Sequence, residues 1–384
     1  MNKLNYDKER DKKRFPMLTN LLPKNSVYMR QKLLTWYDRH KRVMPWRTIK
    51  NSKKVPYKIW LSEIMLQQTT VTTVGPYFQH FLKTWPTIDE LANASLDDVL
   101  KVWQGLGYYS RARNLHKCAK LICNNFDGRF PNTEEQLEQL PGIGPYTAAA
   151  ILAIAFDKPA IVVDGNVERV ITRVFGIFKP LPEGRPIIKD CAAKLAPKTT
   201  RGRPGDYAQA VMDLGATVCR PRKPLCDLCP WEKYCIANQQ NFVDQVPRKA
   251  PKKVKAVRKG VVFLALMSDG SLFLRRRPEN GLLGGMMEFP STVWLERSLS
   301  LKEICEAAPF KTQWVKITGT VNQAFSHFQL QLQVRVAVVN DQTQIFGGIW
   351  VDRDRLDEFA LPNLMKKVWA FALKRIQLLP RLDC

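Results

Sequence analysis

At 384 residues the chain exceeds what one hydrophobic core usually serves, and its 45% hydrophobic content suffices for two packed domains. Sixty Lys and Arg against 35 Asp and Glu give a formal charge of +25, which excludes an acidic, cation-seeking character and favours a polyanionic partner, nucleic acid first. The longest apolar stretch, residues 148–156, is too short for a bilayer, so no membrane span is expected.

Residues 1–25 mix Lys3, Asp7, Lys8, Glu9, Arg10, Asp11, Lys12 and Lys13 without an apolar run. They fit neither a secretory signal nor a transit peptide and are expected to form a flexible tail. Nine cysteines without a secretory segment argue for a reducing compartment, hence the cytoplasm.

Residues 26–240 show apolar positions at three- and four-residue steps broken by Gly and Pro, the pattern of an all-α domain. Within it, residues 57–69 form a helix that is apolar nearly all round, so Glu63 has greasy neighbours whichever way it points. Burial raises a carboxyl pKa, and an acid that keeps its proton near neutrality can serve as a general acid. A buried Glu satisfied by a salt bridge is the plainer alternative.

Leu140-Pro141-Gly142-Ile143-Gly144-Pro145-Tyr146 separates a polar helix over 134–139 from an apolar one over 147–156, a helix-hairpin-helix pattern. Gly142 and Gly144 permit positive φ and close approach, so N–H groups at the second helix's start can meet a phosphate; the plainer reading is an ordinary Gly-Pro connection. Next, Ile161-Val162-Val163-Asp164-Gly165-Asn166 leads into a helix over 167–175, with Asp164 or Asn166 as its cap. An Asp held by helix N–H groups stays ionised and suits a developing cation. One neutral acid and one anion is the division of labour that breaks glycosidic bonds.

Cys219, Cys226, Cys229 and Cys235 follow in the spacing C-x6-C-x2-C-x5-C, among Arg220, Arg222, Lys223 and Lys233. Four soft ligands in 219–235 suit a structural zinc ion or an iron-sulfur cluster, and spacing alone does not separate the two. Residues 241–259 then carry seven cations from Arg248 to Lys259 and read as a basic linker. From 260 to 384 the period changes to two, with a hairpin across Ser268-Asp269-Gly270, an alternating strand at 328–336 and helices near 301–306 and 363–376, an α+β domain.

Taken together, these motifs resemble the MutY family of adenine DNA glycosylases, in the helix-hairpin-helix superfamily that includes endonuclease III. The resemblance covers Met44-Pro45-Trp46-Arg47, residues 60–69, 105–113, 140–146, 163–167 and 212–219, all four cysteines, and continues past the linker. It implies a mainly α helix-hairpin-helix glycosylase domain with a four-iron, four-sulfur cluster on Cys219, Cys226, Cys229 and Cys235, joined to a Nudix-like α+β domain that recognises 8-oxoguanine. The substrate it implies is double-stranded DNA carrying adenine opposite 8-oxoguanine or guanine, with the adenine flipped out of the duplex. Glu63 would protonate N7, Asp164 and Tyr146 would stabilise the oxocarbenium ion, and Asn166 and Arg47 would order the pocket. Gln209 would lie beside the flipped purine, while Gln67, Gln68 and Tyr108 would fill or wedge the vacated duplex.

Tyr146 stands where the bifunctional endonuclease III type carries a nucleophilic Lys, and a phenol forms no Schiff base, so the expected enzyme is monofunctional. In the C-terminal domain Gly281 to Pro290 matches the Nudix-like module, yet no acidic Nudix helix follows to hold magnesium, which leaves recognition rather than hydrolysis. Phe325, Ser326 and His327 match the loop that reads 8-oxoguanine; core packing for Phe325 and a turn role for His327 are the plainer alternatives. The competing functions are a non-catalytic lesion-binding protein and an endonuclease III-like glycosylase/lyase. A monomer in the cytoplasm, associated with the nucleoid, completes the expectation.

Overall fold

The computed structural model describes residues 25–47, 56–251, 254–339 and 347–376. In chain order the helices are α1 (Ser26–His40), α2 (Pro56–Leu66), α3 (Val71–Thr84), α4 (Ile88–Asn93), α5 (Leu96–Val102), α6 (Ser110–Phe126), α7 (Glu134–Glu138) and α8 (Pro145–Phe156). They continue as α9 (Gly165–Phe175), α10 (Arg185–Leu195), α11 (Pro204–Thr217) and α12 (Ile236–Gln239). Local chemistry sets many of the starts: Thr70, Thr87, Ser95 and Thr133 each accept a backbone N–H three residues on, and Pro145 opens α8 where no N–H is needed.

The chain divides into two units, Met1–Gln68 with Asn124–Pro251 and Thr69–Cys123 with Lys252–Cys384. In the first, α8 is apolar on every side and buried from Thr147 to Ala155, which makes it the central helix. Helices α2, α7 and α11 pack against it, and α11 also meets α1 and α9.

The second unit holds α3, α4 and α5, most of α6, and the sheet domain. Its strands are β1 (Ala256–Leu266), β2 (Leu272–Arg276), β3 (Met287–Glu288), β4 (Val315–Lys316), β5 (Val321–Ala324), β6 (Phe328–Val338) and β7 (Gly348–Val351), with α13 (Leu301–Glu306) and α14 (Asn363–Ile376). The sheet runs β3-β2-β1-β6-β4, with β5 also on β6 and β7 on β2. The expected hairpin is there, closing at Leu266 and Leu272, while β1 and β6 pair in parallel from Ala256–Phe328 to Leu266–Val338. Strand β6 alternates as its sequence implies, but β1 is buried continuously from Gly260 to Ala265. Both faces of β1 are covered, because Val262 and Leu264 pack with Met365 and Val368 of α14 while Val261 and Phe263 pack with Ile304 of α13.

Two expected boundaries are corrected. Residues 241–250 are not a linker: Phe242 and Val246 are buried with Ala237, Arg173 Nε donates to the Val243 and Val246 carbonyls at 3.0 and 3.2 Å, and β1 already begins at Ala256. The cations of this stretch had masked two buried apolar residues. Nor do residues 26–240 form one unit, since 69–123 joins the sheet domain. Gln104 Nε2 donates to the Leu361 carbonyl at 2.7 Å, Arg276 grips Asp97 with two 2.6 Å bonds, and buried Arg113 donates to the Gly281 and Gly284 carbonyls. The expected tail, apart from Asn25, and Cys384 lie outside the described residues. Among the described residues no helix is long and apolar enough to cross a membrane.

Candidate active site and DNA-contact groups

Helix α2 carries Glu63 among Ile59, Trp60, Ile64 and Met65, all buried, and leaves it 6% exposed. Among the described residues no cation forms an ion pair with it. Its Oε2 accepts a 3.0 Å hydrogen bond from the Tyr146 hydroxyl at the start of α8. Burial pushes the Glu63 carboxyl up to about 7; the Tyr146 bond and the Arg47 charge oppose this, and Asp164 adds to it. Burial together with the two nearby carboxylates raises the Tyr146 phenol well above its ordinary range, so Tyr146 stays a donor.

Asp164, not Asn166, caps α9, accepting the Asn166 and Val167 N–H groups at 2.9 and 2.7 Å and Asn166 Nδ2 at 3.2 Å. The expectation of a simply ionised Asp164 needs amending: burial raises its pKa against the pull of these donors, and Arg169 adds only a weaker downward effect. Asn166 is fixed from its other end, where Arg169 Nη2 donates to Oδ1 at 2.9 Å and to the Gly215 carbonyl at 2.6 Å. A side chain on Gly215 would collide with Asn166, so glycine at that point of α11 lets the two helices meet.

Arg47 donates from Nη1 and Nη2 to Asp213 at 2.6 and 3.2 Å. Gln209 is 9% exposed, with Nε2 bonded to the Gly205 carbonyl at 3.0 Å. Gln67 is turned to the hairpin, donating to Thr147 Oγ1 at 3.2 Å and the Gly142 carbonyl at 3.4 Å, while Gln68 is exposed with φ of 57°. The hairpin glycines differ. Gly142 has φ of +81°, but Gly144 is extended at φ −100°, ψ −179°, so positive φ is required only at Gly142. Gly144 instead keeps the N-terminus of α8 open, because a Cβ there would meet nothing within 4 Å.

The four cysteines line one cavity of about 20 Å³ with Arg173, Leu225 and Trp231. Among the described residues no three His, Cys, Asp or Glu side chains are grouped to hold a single metal ion. A zinc tetrahedron would need its sulfurs drawn in to about 2.3 Å from one point. Four thiolate donors around one cavity have the donor chemistry of an iron-sulfur cluster. Burial pushes the Cys229 and Cys235 thiols up to about 12 and 11, surroundings in which thiolates need a cationic centre. Arg169 Nε holds the Cys219 carbonyl at 2.7 Å and Arg173 Nη1 lies 3.3 Å from Cys219 Sγ. Neither arginine stood out in the sequence, where an i, i+4 pair of cations on an amphipathic helix reads as surface.

In the second unit Tyr108 is exposed at φ 48°, its hydroxyl 3.2 Å from Ser326 Oγ, and a cavity of about 520 Å³ includes Tyr108, Ser326, His327 and Arg113 in its lining. Ser326 and His327 are exposed. Phe325 is half-buried, stacked on Trp294 at 6.1 Å and packed on Phe328 at 5.0 Å, so the packing role applies to it and it anchors the loop.

Glu63, Tyr146, Asp164 and the 325–327 loop fall within two matched families, whereas Arg47, Gln209, Asp213 and the four cysteines lie outside the matched residues. Residues 61–196 match the HhH-GPD superfamily base excision DNA repair proteins, and residues 261–371 match the NUDIX domain. An adenine DNA glycosylase of Homo sapiens is 35% identical over 400 residues, covering 88% of this chain and 73% of its own length. That of Buchnera aphidicola (subsp. Baizongia pistaciae) is 33% identical over 348 residues, covering 88% of this chain and 95% of its own. Among solved structures, a thermostable thymine-DNA glycosylase aligns with a TM-score of 0.50 at 28% identity, covering 56% of this chain and 98% of its own. The chain belongs to the adenine DNA glycosylase family.

Proposed function

We propose that the protein is a monofunctional glycosylase that removes adenine paired with 8-oxoguanine or guanine in duplex DNA, in base excision repair. The observation that carries this reading is the Glu63–Tyr146 pair: a buried acid at about 7 that accepts a hydrogen bond from a neutral phenol. With its proton in place, Glu63 delivers it to N7 of the flipped adenine, and the electron pair of the breaking C1′–N9 bond leaves with the base. Asp164, fixed by the N-terminus of α9, faces the oxocarbenium-like sugar, and water completes the hydrolysis. Tyr146 orients Glu63 and offers no amine, so the product is an abasic site.

Gly142 and the open start of α8 are assigned to a DNA phosphate, and Gln67, Gln68 and Gln209 to the space around the flipped base. Tyr108, Ser326 and His327 are assigned to the 8-oxoguanine side, with Phe325 holding their loop. Cys219, Cys226, Cys229 and Cys235 would hold a four-iron, four-sulfur cluster, which when bound staples a basic loop and supplies no proton or electron to the excision. The formal charge of +25 supports DNA as the partner; a cytoplasmic, nucleoid-associated monomer is the working form proposed.

The test incubates excess protein with duplexes carrying adenine opposite 8-oxoguanine, guanine or thymine, followed by alkali, beside Glu63→Gln. Alkali-dependent breaks at adenine, fastest opposite 8-oxoguanine and absent with the variant, are expected. Binding without breaks would give the lead to a lesion-binding protein; breaks without alkali would point to a lyase.

A further inference from the structure

Asp213 lies on α11 and is fully buried. Its carboxylate accepts four donors: Arg42 N at 3.1 Å, Arg42 Nε at 2.6 Å, and Arg47 Nη1 and Nη2 at 2.6 and 3.2 Å. The Arg47 guanidinium also lies 5.9 Å over the Tyr37 ring of α1. It is thus gripped on one edge and one face, while its Nε is buried with no hydrogen-bond partner among the described residues. A buried N–H left unpaired is costly, and so rigid a mount for it has a reason when a ligand supplies the acceptor.

We propose that Asp213 is a positioning residue for base excision: it fixes the Arg47 fork within electrostatic reach of Glu63 and keeps the Nε–H uncommitted for an acceptor on the bound base. This rests on the reading of Glu63 as the acid. One carboxylate charge faces two guanidinium groups, Arg42 and Arg47, so the cluster stays net positive and Asp213 can hold Arg47 without cancelling its field. The charged and titratable groups acting on Glu63 are Tyr146 of α8, Asp164 at the start of α9, and Arg47; those acting on Arg47 are Tyr37, Asp213 and Arg42. Since the Arg47 cation favours ionised Glu63, loosening Arg47 lets the acid keep its proton to higher pH.

The measurement is the single-turnover excision rate against pH for the full-length holoprotein and for Asp213→Glu, which keeps the charge and lengthens the arm by one methylene. We expect a rate loss on the order of 10- to 100-fold, with unchanged affinity for a duplex bearing cleavage-resistant 2′-fluoro-deoxyadenosine. The alkaline fall of the rate moves to higher pH. Both effects vanish when Asp213→Glu is made in an Arg47→Ala background, as acting through Arg47 requires. Wild-type rate and pH profile in Asp213→Glu, or a loss that is simply additive with Arg47→Ala, would overturn the proposal. If Asp213→Glu does not fold, Asp213→Asn is read for rate and affinity; failure of both to fold assigns Asp213 to stability alone and also overturns it. A wild-type rate without an alkaline fall, or persisting in Glu63→Gln, would instead sink the reading of Glu63.

Discussion

Among the described residues two glutamates are buried, one in each unit, and their surroundings are opposite. Glu288 on β3 is 1% exposed and held by Arg275 Nε at 3.0 Å, by Arg277, and by Ser291 Oγ at 3.4 Å. Glu63 is 6% exposed and its side chain accepts a hydrogen bond from a phenol. Two guanidinium groups compensate a buried anion and lock neighbouring strands. A phenol leaves the charge largely uncompensated, so the proton itself becomes the partner. Burial alone therefore does not mark a catalytic carboxylate; burial without a paired cation does.

Removing each carboxylate should separate the two roles. Glu63→Gln should cut excision by up to about 10⁴-fold, roughly 5 kcal/mol of barrier, with thermal unfolding at neutral pH no lower than wild type; rapid excision would dissolve the contrast. Glu288→Gln should do the reverse, lowering stability by about 4 kcal/mol in urea unfolding, because two guanidinium groups lose their shared anion.

The pH dependence of stability sharpens the same contrast. Glu63 moves from an ordinary 4.5 to about 7 on folding. A raised carboxyl pKa contributes stability that is fully present below about 4.5 and is lost as pH rises through about 7, roughly 3 kcal/mol in all. Unfolding of wild type and Glu63→Gln compared from pH 4 to 8 should show this slope only in wild type. The smallest effect is expected for Tyr146→Phe, about 1 kcal/mol or five- to tenfold in rate. Because the Tyr146 bond favours the anion, its loss should carry the alkaline fall of the rate upward, and a downward move would contradict the geometry.

Much of this was legible in the sequence where a local rule had little competition. An all-round apolar helix required Glu63 to be buried, and an apolar run ending at Asp164 before a helix announced its cap. What escaped depended on partners distant in sequence. Asp213 is separated from Arg42 and Arg47 by most of the helical chain, and nothing in Met212 to Gly215 distinguishes a buried acid from an exposed one. The parallel pairing of β1 with β6 and the burial of Phe242 and Val246 in a cationic stretch are likewise set by tertiary packing. The resemblance places Phe325 in the lesion-reading loop, and the sequence does not show that its ring also packs on Trp294 and Phe328.

Arg113 has a consequence for how such a protein can change over time. Its buried guanidinium leaves α6 and ends on the Gly281 and Gly284 carbonyls of the sheet domain. A sheet domain traded in from another repair protein would have to offer two carbonyls at the same spot or leave that charge stranded. Recombination at the domain boundary is therefore penalised unless α6 and the 281–284 turn travel together, so the two segments are expected to be inherited as a pair.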